Sequence, residues 1–82
     1  MAWMSGNLNS DDYAAFVVMM KAMRVEQGVT QAELASRLNQ PQSYISKSER
    51  RERRIDVVEF IRITEALGLD PLEALKRVQR GL

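Results

Sequence analysis

The side chains that could do chemistry in this 82-residue chain are of a narrow kind. It has no histidine and no cysteine, so the usual zinc ligands, a thiolate nucleophile and an imidazole-activated serine are all missing. No glycine-rich loop is present to cradle a phosphate. The paired carboxylates, Asp11 with Asp12 and Asp56 with Glu59, stand where helices begin. There they complement the positive end of the helix dipole rather than form an acid and base couple. What remains is hydrogen bonding and charge. Gln42 and Ser43 are followed four residues later by Ser46 and Lys47, a spacing that puts all four on one helix face. Behind them come Arg50, Arg51, Arg53 and Arg54, a bunch that in isolation is better explained as a solvated surface. Such a set can hold a polar or anionic partner but offers no means of breaking a bond, and we expect no enzyme, no metal and no cofactor.

The rest of the composition bounds the elements that must position these groups. The formal net charge is only +1, but it is unevenly spread: the first forty residues are slightly acidic and the remainder basic, with Lys47 heading the basic bunch. With 45% hydrophobic residues there is room for one modest core, and we expect one domain without a second, regulatory one. The longest apolar stretch, Ala14 to Met20, is far short of the ~20 residues that cross a bilayer. The N-terminus lacks the basic start and apolar block of a secretory signal, and the absence of cysteine rules out a disulfide framework, so a cytoplasmic location is expected. Residues 1–9, rich in Ser, Gly and Asn, carry no periodicity and read as a loose tail whose Trp3 could dock on the domain or on a partner. The domain proper is expected over 10–82.

Five short helices account for that domain, and no alternating β-branched run competes with them, so the fold class is all-α. The first opens at Ser10 as N-cap and stops at Gly28, with Tyr13, Phe16, Val17, Met20 and Met23 on one inward stripe. Its methionines are gap-filling core residues. Thr30 caps the second, with Glu33 completing a capping box. Ala32, Leu34, Ala35 and Leu38 follow, and the small Ala35 permits a close helix crossing. Pro41 suits the first turn of a third helix that continues from Gln42 to Arg50 with Ile45 inward. Asp56 and Glu59 form another capping box for a fourth, whose expected inward stripe is Val57, Phe60, Ile61, Thr64 and Leu67, ended by Gly68. Asp70 and Pro71 start the last, which runs to about Arg80 with Leu72, Leu75 and Val78 apolar.

Two short helices joined by a tight turn and followed by a basic loop, TQAELASRLNQPQSYISKSERRERR from Thr30 to Arg54, resemble the helix-turn-helix of the Cro and lambda-repressor-like (XRE-like) family. The likeness rests on Gln31 at the start of the second helix, Ala35 at the crossing, Ile45 inside the third and Glu49 near its end. With the pattern from Asp56 to Gly68, which looks like the family's fourth helix, it spans roughly Met20 to Leu75. There are departures. Ser48 stands where a larger apolar residue is common, and Arg51 stands where a glycine usually ends the third helix, which implies a different loop conformation or a longer helix.

The resemblance implies a sequence-specific regulator of transcription, acting on double-stranded DNA. A helix fits the major groove, where residues at its N-terminus reach base edges first. Gln can hold adenine by two bonds, Lys can donate to guanine and Ser can serve either, so Gln42, Ser43 and Lys47 become base readers flanked by Tyr44 and Ser46. Tyr44 reads equally well as a half-buried packing residue. Gln31 stands where the family grips a phosphate, and Arg50, Arg51, Arg53 and Arg54 would neutralise others, although Glu49, Glu52 and Asp56 are available to them as counter-charges. Arg24 and Glu49 occupy positions of a family salt bridge between the first and third helices and are expected to be structural. A homodimer on a near-palindromic operator follows, with Leu72, Leu75, Val78 and Leu82 as the seam; simple intrachain packing explains the same residues nearly as well. The expected repressor would sit at the nucleoid, without a small-molecule ligand or a membrane partner. An antitoxin or adaptor that keeps the fold to bind another protein is the competing reading.

Overall fold

The computed structural model describes residues 10–82, and the tail expected at 1–9, with Trp3, lies outside them. Five helices follow one another: α1 (Asp11–Glu26), α2 (Gln31–Arg37), α3 (Gln42–Glu49), α4 (Val57–Ala66) and α5 (Pro71–Gly81). No strand occurs among the described residues, and no helix is long and apolar enough to cross a membrane.

Four of the five helix starts among the described residues are capped by a side chain of their own sequence. Ser10 accepts from the Tyr13 amide, complete capping boxes form at Thr30 with Glu33 and at Asp56 with Glu59, and Asp70 accepts from the Leu72 amide ahead of Pro71 in the first turn. These contacts satisfy amides that a helix leaves without partners, each worth about 1 kcal/mol. Pro41 differs from expectation. It precedes α3 as N-cap, in extended conformation with ψ 156°, and supplies no side-chain cap.

The core is built from Met20, Met23, Val29, Leu34, Ala35, Ile45, Phe60, Ile63, Leu67, Ala74 and Val78. α2 packs chiefly on α3, with α1 against α3 and α5, and α4 against α5 and α2. In α4 the inward stripe is turned from the expected one: Val57 is 71% exposed and Ile61 lies at the surface, while Ile63 is buried beside Phe60, Thr64 and Leu67. The run of Val57, Val58, Phe60, Ile61 and Ile63 contains two apolar stripes, and only packing on α5 and α2 selects between them. Thr64 tolerates complete burial because its hydroxyl donates to the Phe60 and Ile61 carbonyls. In α5, Ala74 and Val78 face the core, so Val78 is not available to a seam, whereas Leu72 and Leu75 remain exposed. Small Ala74 lets α5 approach closely, and Val78 one turn later lies on the same stripe.

The difference expected at the end of α3, another loop conformation or a longer helix, does not occur. The helix stops where a glycine would stop it, and Arg51 itself adopts the left-handed conformation, with φ 61°. A side chain with a Cβ is disfavoured there by about 1 kcal/mol relative to glycine. Arg51→Gly is therefore expected to raise the urea midpoint by an amount corresponding to roughly 0.5–1 kcal/mol.

Candidate nucleic-acid interface

α3 is short, and its two sides have different duties. Ile45 and Ser48 are buried, while Gln42, Ser43 and Lys47 are exposed. Four-residue spacing places Ser43 and Lys47 one above the other, with Gln42 beside them at the N-terminal edge. Ser46 is half-buried, and its hydroxyl donates to the Ser43 carbonyl at 3.4 Å. Ser48, where a bulkier residue would be usual, fits beneath α3 because its hydroxyl donates to the Tyr44 carbonyl at 2.7 Å.

The C-terminal end of α3 is anchored by Glu49. Arg24 of α1 meets its carboxylate through two nitrogens, Nε to Oε2 at 2.7 Å and Nη2 to Oε1 at 3.0 Å, and spends Nη1 on the Val29 carbonyl at 2.8 Å. Arg24 is only 8% exposed, so this planar, two-pronged pair is the device by which a guanidinium is accommodated in the core. Gln31 joins it, donating from Nε2 to Glu49 Oε1 at 2.9 Å. Expected as a phosphate grip, Gln31 thus has one of its two amide hydrogens committed inward.

Arg53 also departs from the role of a solvent-facing phosphate grip. Its guanidinium lies 3.8 Å from the centre of the Tyr44 ring, donates to Ser48 Oγ at 3.2 Å and forms an ion pair with Glu59 of α4. The Tyr44 hydroxyl donates to Glu59 Oε2 at 3.0 Å, so it is occupied within the chain rather than offered to a base. Burial pushes the Glu59 carboxyl up, but the Asp56 amide, Arg53 and Tyr44 together outweigh it and hold the carboxyl below the usual carboxylate range. Burial, and then Glu59, raise the Tyr44 phenol above its ordinary value.

The remaining arginines differ from one another. Arg50 pairs with Glu52 at 2.8 Å; both are well exposed, so the pair stabilises little and is readily exchanged for another anion. Arg51 is half-buried and Arg54 exposed, the latter with its guanidinium 5.0 Å from the Tyr13 ring centre. Tyr13 was legible only as a core residue. Its hydroxyl also accepts the Ile55 amide at 2.9 Å and so pins the loop carrying the arginines to α1. Glu59 was legible only as half of a capping box.

Two helices crossing at a small residue, with the second presenting a polar face above a buried one, define a helix-turn-helix domain. The family model described as helix-turn-helix matches residues 20–73, and the chain belongs to this family in its XRE form. Among solved structures it is similar to an XRE-family like protein from Pseudomonas syringae pv. tomato str. DC3000, with 40% identity over 84% of each chain and a TM-score of 0.79. It is also similar to a point mutant of the restriction-modification controller protein C.Esp1396I, at 25% identity over 88% of this chain and 96% of that one, with a TM-score of 0.80. A hypothetical transcription factor from Neisseria shares the fold at 21% identity, covering 98% and 95% of the two chains, with a TM-score of 0.68. No curated protein matches.

Proposed function

We propose that this protein is a sequence-specific, double-stranded DNA-binding transcriptional regulator, a repressor, that reads the major groove with α3. The observation that carries this reading is the division of α3: Gln42, Ser43 and Lys47 stand exposed on a helix whose opposite side and C-terminal end are held to the core and to α1. Side chains on a rigid element can discriminate bases, because misaligned contacts leave polar groups unpaired. Arg50, Arg51 and Arg54, with the second amide hydrogen of Gln31, supply phosphate contacts that set register without reading sequence. Such a partner places the protein in the cytoplasm, at the nucleoid.

One such domain touches few bases. Two copies on a near-palindromic operator, with half-sites about one helical turn (~34 Å) apart, would supply the missing specificity. Exposed Leu72, Leu75 and Leu82 are the side chains of α5 and its C-cap available for that seam.

Selection of random duplex DNA on the purified protein, followed by binding of the winner at two salt concentrations, tests this function. A near-palindromic winner with steep salt dependence is expected. An unselective pool would overturn it and favour the antitoxin or adaptor reading. With the operator in hand, Lys47→Ala should weaken the preferred site by about 1–3 kcal/mol and relax one base position, while Arg54→Ala should weaken all duplexes alike. Equal losses on preferred and scrambled duplex for Lys47→Ala would remove it from the readers.

A further inference from the structure

We propose that Arg53 and Glu59 are positioning residues for base recognition: by holding Tyr44 they set the angle at which α3 presents Gln42, Ser43 and Lys47, and Arg53 is not a phosphate contact. The inference rests on the DNA-reading function above.

Within α3 only Ile45 and Ser48 are buried, both on its underside, so they fix how deeply the helix sits more firmly than its roll about its own axis. Its C-terminal end is tied to α1 through Glu49 and Arg24. A second tie is needed nearer the N-terminus, where the base-facing residues are, and Tyr44 is placed to provide it. From one side its hydroxyl donates to Glu59 of α4, and on its face lies the guanidinium of Arg53 from the loop after α3. Arg53 and Glu59 pair with each other, and Arg53 also reaches Ser48 Oγ on the next turn of α3. Three segments therefore converge on one aromatic ring. Glu59 is itself fixed, because its other oxygen accepts the Asp56 amide in the capping box at 2.9 Å, so the ring is referred to the rigid start of α4.

Charge argues the same way. Arg53 faces the carboxylate of Glu59 at close range and is only partly exposed, with 29% side-chain exposure. An arginine so matched contributes little net positive field outward, unlike Arg54, for which no ion pair forms among the described residues. Guanidinium stacking on an aromatic face also requires the flat fork of arginine, which lysine does not reproduce.

The test uses the full chain and the duplex obtained by selection. Arg53→Met with Glu59→Gln removes the pair while leaving its summed charge at zero. Arg53→Lys keeps the cation but not the stacked fork, and Tyr44→Phe removes only the hydroxyl tie. Affinity for the selected and the scrambled duplex is measured across a salt series, with circular dichroism and urea unfolding on each variant. We expect discrimination between the duplexes to fall roughly tenfold or more in the double variant and in Arg53→Lys, on the scale of one base contact. The slope of log affinity against log salt should stay at the wild-type value. A phosphate contact behaves oppositely: the double variant would lower the slope by about one and weaken both duplexes equally, and Arg53→Lys would restore binding. That result overturns the inference. Wild-type protein that discriminates no duplex would overturn the DNA reading and the inference with it. A selective wild type whose folded variants discriminate equally well would overturn the inference alone.

Discussion

Glu49→Ala is expected to destabilise the domain by about 3–5 kcal/mol, measured as a fall in the urea midpoint, because it leaves a buried guanidinium without its counter-charge. Arg24 is the one charged residue among those described that falls in the buried interior, and its three nitrogens make contacts within the chain: two to Glu49 and one to the Val29 carbonyl. Removing the carboxylate also strands the amide of Gln31. For a small domain, whose total stability lies toward the low end of about 5–15 kcal/mol, the loss approaches the whole. Replacing both partners with apolar residues, as Arg24→Met with Glu49→Leu, is expected to recover most of it, since a desolvated ion pair repays little more than its own burial. The single variant will also lose DNA binding. That loss reports a displaced α3, and a cost below about 1 kcal/mol would mean that the bridge does not hold the helix.

The second large effect is expected from Ile45→Ala, at about 2–5 kcal/mol by urea unfolding. Ile45 is the only buried apolar side chain of α3, and it reaches the core cluster with Leu34 and Ala35 of α2. Truncation leaves a cavity directly beneath the exposed face that carries Gln42, Ser43 and Lys47. Closing it would require α2 and α3, whose Leu34, Ala35 and Ile45 share the core cluster, to shift toward each other. A variant losing less than about 1 kcal/mol would show that α3 can settle inward.

The helix boundaries were legible because they are written in adjacent residues. Ser10, Thr30 with Glu33, Asp56 with Glu59, and Asp70 with Pro71 each act within three positions, and such local chemistry does not depend on the rest of the fold. The facing of α4 was not legible in this way. Val57, Ile61 and Ile63 offer rival stripes, and tertiary packing chose the one containing Ile63. Val78 and Leu75 are likewise indistinguishable by hydropathy, yet one is core and the other surface. At the candidate site, the helix face of Gln42, Ser43 and Lys47 follows from spacing alone. The pairing of Arg53 with Glu59 over Tyr44 does not, because it joins a loop, one helix and the start of another. Nor did the sequence disclose that Arg51 would accept the left-handed turn of a glycine, a cost borne by the surrounding structure.

The separation within α3 between the residues that hold it and those that face outward bears on how such a protein can change over generations. Substitutions at exposed positions away from caps and buried networks usually alter stability by no more than about 0.5 kcal/mol. Gln42, Ser43 and Lys47 are such positions, while Ile45, Ser48 and Glu49 carry the attachment. On the proposed reading, altering a few outward residues would exchange one target sequence for another, and the descendants would keep the ancestral scaffold and its tolerance of further mutation.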